Sequence, residues 1–315
     1  MIMTTAPFSV CAVFGERRRQ LSALRYASDL ARVLGADQLH VYLPGAAMAA
    51  DKWPAIADRP APTESRSQRR QGAEEPSQPE RMTSGGGEAT KPTERTRIQT
   101  QRVVCFVAEL SGGVPVVVHD GIDLATCAPD QLPPNPIIVS SELAMRRSDV
   151  NILQPFEEVS VRRTQQHSGH LLVPFGDGEA GPVAATLALP LARALGLAVV
   201  FYHTTWPAAG VTSTNPVDHI YSASRAQYDR LAAMARAASV QHRMEVEMAD
   251  DVVMGMLGCA LNGGISPDRP SPVSLIVMSH GVNTCIGSYV EKTLNRASTP
   301  VLVVASPRTA EGGTQ

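Results

Sequence analysis

The residues best suited to hold a ligand lie in one short run, SHGVNTCIGS, from Ser279 to Ser288. Gly281 follows an apolar segment, and Gly287-Ser288 opens a helical pattern. Small residues there could bring backbone N–H groups up to a phosphate, while the helix N-terminus adds a favourable dipole. Only five residues separate the two glycines. The same glycines also suit a shortened turn that needs their conformational freedom and binds nothing. Other chemistry finds less support. The chain has no Gly-x-Ser-x-Gly elbow, no P-loop with its Lys-Ser/Thr pair and no His-Glu-x-x-His. His203, His219 and His280 could approach one another at strand ends, and His167 with His170 has a plausible ligand spacing, but no Cys/His set stands at known separations, so no metal is expected.

The segments around this run must position it, and they repeat. AVFG (12–15) matches VPFG (173–176), an offset of 161. At the same offset LARVLGA (30–36) falls on LARALGL (191–197), and LHVYL (39–43) falls on VFYHT (200–204). PIIVSS (136–141) and SLIVMS (274–279) correspond at 138. The chain is therefore two copies of one unit, residues 1–160 and 161–315, the first with about 23 more residues between these landmarks.

Each copy opens with an apolar strand and a Gly-containing turn. An amphipathic helix follows, with Leu21, Leu24, Ala27, Leu30 and Leu34 in one copy and Val183, Leu187, Leu191 and Leu195 in the other. Gly35 and Gly196 stand where a helix is capped. A second strand comes at once, which makes a right-handed crossover unit in a parallel sheet. The excess of the first copy lies in SRSQRRQGAEEPSQPE and TSGGGEATKPTER. These belong to a stretch (about 55–101) too poor in aliphatic residues to offset its ordering entropy, so it is expected to be disordered.

Composition narrows the partners. A formal charge of −2 gives no global attraction to nucleic acid or anionic membrane, and 4% aromatics make poor stacking platforms. The five dispersed cysteines suit reduced thiols. The N-terminal residues lack the order of a signal peptide, and the most apolar stretch (182–202) carries Pro190 and Arg193. These features predict a cytoplasmic protein with no membrane span.

LLVPFGDGEAGPVAATLALPLARALGLAVVFYHTTW resembles the opening of a universal stress protein domain, and SLIVMSHGVNTCIGSYVEKTLNRASTPVLVVAS resembles its close. The resemblance covers most of the second copy. In the first it is confined mainly to the opening and Ile138–Ser141. It implies two tandem copies of an open, mostly parallel five-stranded α/β sheet flanked by helices, the adenine-nucleotide hydrolase-like fold, with the first copy degenerate. It also implies ATP or another adenine nucleotide at a Gly-x-x-Gly, nine-residue, Gly-Ser loop, with an Asp after the first strand and no metal beyond nucleotide-associated Mg. Carried onto this chain, the binding residues are Pro174, Phe175, Gly176, Asp177, Ser279, His280, Gly281, Gly287 and Ser288. Thr284 stands where the second glycine belongs and the loop is short. Gly176 occupies the Asp position, with Asp177 one place later.

SSELAMRRSDVNILQPFEEVSV in the first copy has no glycine for a phosphate cradle, so that copy is expected to be a structural partner. The resemblance further implies self-association through sheet edges or an internal pseudo-dimer. Three roles follow: stress response or signalling through adenine-nucleotide sensing or protein interaction without substantial turnover, regulation of a membrane transporter by a soluble subunit, or weak nucleotide hydrolysis.

Overall fold

The computed structural model describes residues 8–13, 18–43, 113–120, 122–124, 126–140, 149–156, 169–205, 222–262, 273–280 and 288–305. The stretch expected to be disordered lies outside them. The first half contributes β1 (Ser9–Val13), α1 (Arg18–Leu34), β2 (Leu39–Leu43), β3 (Val116–Asp120), β4 (Pro136–Val139) and β5 (Asn151–Gln154). The second contributes β6 (His170–Pro174), α2 (Ala180–Leu195), β7 (Ala198–Thr205), α3 (Ser222–Ala237), β8 (His242–Met248), α4 (Val252–Asn262), β9 (Val273–Ser279), α5 (Ser288–Arg296) and β10 (Val301–Val304).

Among the described residues these strands form a single ten-stranded sheet, ordered β3-β2-β1-β4-β5-β10-β9-β6-β7-β8. Each half is a five-stranded parallel sheet, and the second repeats the order of the first in mirror sequence. The two meet where β5 pairs antiparallel with β10, Leu153 opposite Leu302. The two halves thus share one continuous open sheet. Side chains fasten the seam. Asn151 Nδ2 donates to the Pro136 carbonyl at 3.1 Å while its Oδ1 accepts from the Ala305 N–H at 3.0 Å. Gln154 Nε2 donates to the Leu294 carbonyl at 2.8 Å.

Both faces are covered, as parallel strands require. On one face α1, α2 and α3 bury Leu24, Leu30, Leu191 and Leu231 against Val10, Val41, Val173 and Phe201, in one core that runs across the seam. On the other, α4 and α5 bury Met256 and Val290 against Leu172 and Ile276, and the segment around Leu124 and Leu132 covers Cys11 and Tyr42. Gly35 and Gly196 end α1 and α2 with φ of +61° and +68°, the left-handed conformation that the sequence pattern placed there. Asp251 caps α4, its Oδ1 accepting from the N–H groups of Val253 and Met254.

One expectation is corrected. Val10 pairs with Leu39 and Leu171 with Val199, so β2 corresponds to β7 at an offset of 160, not 161. The helix ends still match at 161, because Ala36 N–H donates to Ala31 as Leu197 N–H donates to Ala192. The first copy therefore carries one extra residue between Ala36 and Leu39. Tyr42 is the counterpart of Tyr202, and a one-residue slip would have sent every side chain of the strand to the wrong face. The offset of 138 for the next landmark holds, since Val10 pairs with Ile137 and Leu171 with Leu275.

Candidate functional site

In the second half the chain leaves β6 towards β7 on one side and later returns to β9 on the other. Because both neighbours run parallel to β6, their carboxyl ends lie together. The crevice beyond β6 and β9 is the switch point of this half-sheet, the place where open α/β sheets receive ligands.

Five residues singled out in the sequence converge there. Pro174, Phe175 and Gly176 arrive from β6, and Ser279 and His280 from β9. Phe175, Ser279 and His280 are buried. Ser288 begins α5. Gly281 and Gly287 lie outside the described residues.

Hydrogen bonds fix the β6 side. Phe175 N–H donates to the Tyr202 carbonyl at 2.9 Å, continuing the ladder one residue past the strand. The Phe175 carbonyl accepts from His203 Nδ1 at 3.0 Å, which puts the proton of that imidazole on Nδ1. The two rings stack with centroids 5.1 Å apart. Asp177 is tied to α3. Its Oδ1 accepts from Ser224 Oγ, and its backbone carbonyl accepts from Gln227 Nε2 at 3.4 Å. Glu179 in the same turn takes both oxygens to Arg230 Nη1 at 2.7 and 2.8 Å.

No protein-family model and no curated protein matches the chain. Among solved structures, a universal stress protein from Archaeoglobus fulgidus is similar over 95% of this chain and 97% of its own, at 11% identity and a TM-score of 0.52. The chain has the universal stress protein fold. A protein from the universal stress protein family of Burkholderia pseudomallei is similar over 44% of this chain and 97% of its own (21% identity, TM-score 0.34). A universal stress protein in complex with cAMP is similar over 44% and 97% (16% identity, TM-score 0.32).

Within this universal stress protein fold, sequence reasoning missed Ser224, Gln227 and His203 as partners of the β6 turn. The signal for His203 was its place at the end of β7, beside the turn after β6. Ser224 and Gln227 stand 47 and 50 residues on from Asp177, and only the docking of α3 brings them to it. Among the described residues no cluster of His, Cys, Asp and Glu could hold a metal ion, and no helix is long and apolar enough to cross a membrane.

Proposed function

We propose that this chain is a universal stress-type protein whose second half takes an adenine nucleotide beyond the carboxyl ends of β6 and β9. The first half completes the sheet as its structural partner. The observation that carries this reading is the convergence of Phe175-Gly176 with Ser279-His280 at the switch point of the second half. Gly281, Gly287 and Ser288 continue from the same strand end in sequence and would supply backbone N–H groups to phosphate. Pro174 and Asp177 border the crevice.

The nucleotide acts as a signal and is not turned over. The polar groups nearest the β6 turn are engaged in holding it: Asp177 accepts from Ser224, Glu179 pairs with Arg230, and His203 donates to the Phe175 carbonyl. None is left as the poised base that hydrolysis requires.

Calorimetric titration of ATP, ADP, AMP and cAMP into the full chain and into Gly287→Val tests the proposal. Saturable binding of at least one of them, lost in the variant without loss of folding, is the expected result. No heat with any of the four would overturn it. Release of phosphate in step with binding would replace sensing with hydrolysis.

A further inference from the structure

We propose that His40 and His119 form an acid-operated clasp that fastens the edge strand β3 to the sheet. β3 is the terminal strand and pairs only with β2 among the described residues. Its neighbour there sends His40 diagonally towards His119, and the two rings meet with Nδ1 of His40 3.0 Å from Nε2 of His119. The rings lie edge to edge, centroids 5.3 Å apart and planes 20° from parallel. Tyr42, the register partner of His119, stacks on it at 4.4 Å.

A hydrogen bond between two imidazoles needs one nitrogen with a proton and one without. The neutral pair satisfies this, and so does a pair that has taken up one proton. A second proton leaves N–H facing N–H across 3.0 Å, with two like charges adjacent. The pair should therefore titrate in two unequal steps, and the clasp opens on the second.

The titratable group that packs on the pair is Tyr42 of β2, whose ring stacks on His119. Burial raises the pKa of its hydroxyl, so it is neutral near pH 7 and offers no anion to stabilise imidazolium. Burial accordingly lowers the pKa of both histidines, and the neighbouring ring lowers that of His40 further. Neutral imidazole is thus favoured in the folded state. The stabilisation is complete above the unfolded value of about 6.5 and fades as pH falls towards the lower folded values.

The other edge of the sheet is built differently and provides an internal reference. β8 is held by the Tyr202 hydroxyl donating to Glu247 Oε2 at 2.7 Å, and it carries the Arg243–Glu245 pair at 2.6 Å. Neither contact involves a histidine pair, but Arg243 Nη1 also lies 3.3 Å from His170 Nε2, so the edges are compared in His170→Gln, where acid should loosen β3 and spare β8.

Hydrogen exchange on the full chain, corrected for the intrinsic rate at each pH, reads this directly. Between about pH 7.5 and pH 5.5 the protection of residues 116–120 should fall roughly tenfold or more relative to β8. In His40→Gln/His119→Gln the two amides can still hydrogen-bond but cannot titrate, and the fall should vanish. Wild-type histidine ring signals in NMR should titrate below pH 6.5 in two steps. Equal loss of protection in β3 and β8, an unchanged fall in the double variant, or two independent titrations near the ordinary histidine value would each overturn the clasp. The comparison of the two edges in His170→Gln decides the matter even where the double variant fails to fold.

Discussion

Gly181 lies so close to Phe175 that a Cβ added to it would stand 2.6 Å from the Phe175 Cβ and 3.3 Å from its Cα. The first turn of α2 is thereby pressed against the β6 turn that forms one wall of the crevice. Neither obstructing atom is the far end of a flexible side chain, so rotation cannot relieve the contact.

Gly181→Ala should therefore destabilise the protein by about 1–3 kcal/mol, although alanine is the better helix former by about 1 kcal/mol. The comparison is Gly178→Ala, where the added Cβ meets nothing within 4 Å. Denaturant midpoints of the two variants check this. The first should fall and the second should stay within the error of wild type.

Asn151 bridges the seam by donating to Pro136 and accepting from Ala305. Asn151→Ala should cost about 1–3 kcal/mol, because both backbone partners lose their mate in a partly buried place. Asn151→Asp keeps the acceptor and loses the donor, so it should be nearly as damaging. Urea unfolding followed by two probes, one in each half, would show wild type melting in one transition. In these variants the midpoints of the halves should separate.

Asp177 holds the buried hydroxyl of Ser224. Asp177→Ala should cost about 1–2 kcal/mol, since it leaves that hydroxyl without its acceptor, whereas Ser224→Ala removes both need and donor and should cost less. The order of the two unfolding midpoints is the test. A larger loss in Ser224→Ala would mean that the hydroxyl serves another partner.

The Cys11 thiol is fully buried, and burial pushes its pKa from 9.0 up to about 12 despite the Tyr42 hydroxyl beside it. Three pH units correspond to about a thousandfold less thiolate, the reactive form. Cys11 should resist iodoacetamide at pH 8 in the folded chain and react promptly in denaturant, as peptide mass spectrometry would register. Labelling in the native state at the rate of an exposed thiol would contradict its packing beneath Tyr42.

Much of this was legible in sequence. Leu24, Leu30, Leu187 and Leu191 recur at helical spacing because a helix on a sheet buries one stripe, and all four are buried. Gly35 and Gly196 marked helix ends because the left-handed conformation costs other residues a steric penalty. The crevice residues at the ends of β6 and β9 could be placed from their position after apolar runs. Less legible was the direction of Asp177, which depends on where α3 docks, and the meeting of His40 with His119. Those two histidines lie 79 residues apart, on strands whose pairing no local pattern announces.

The register of β2 shows the limit most clearly. Buried parallel strands are apolar on both faces, so LHVYL can be laid on its counterpart one residue out of place with no loss of pattern. The sequence by itself determined that there are two copies and that each opens with a strand, a helix and a second strand. Only the tertiary structure decided the frame of β2, the antiparallel joint of β5 with β10, and which polar side chains meet. The physical reason is that backbone hydrogen bonds between strands and the docking of helices set these contacts, and both act between residues far apart in the chain.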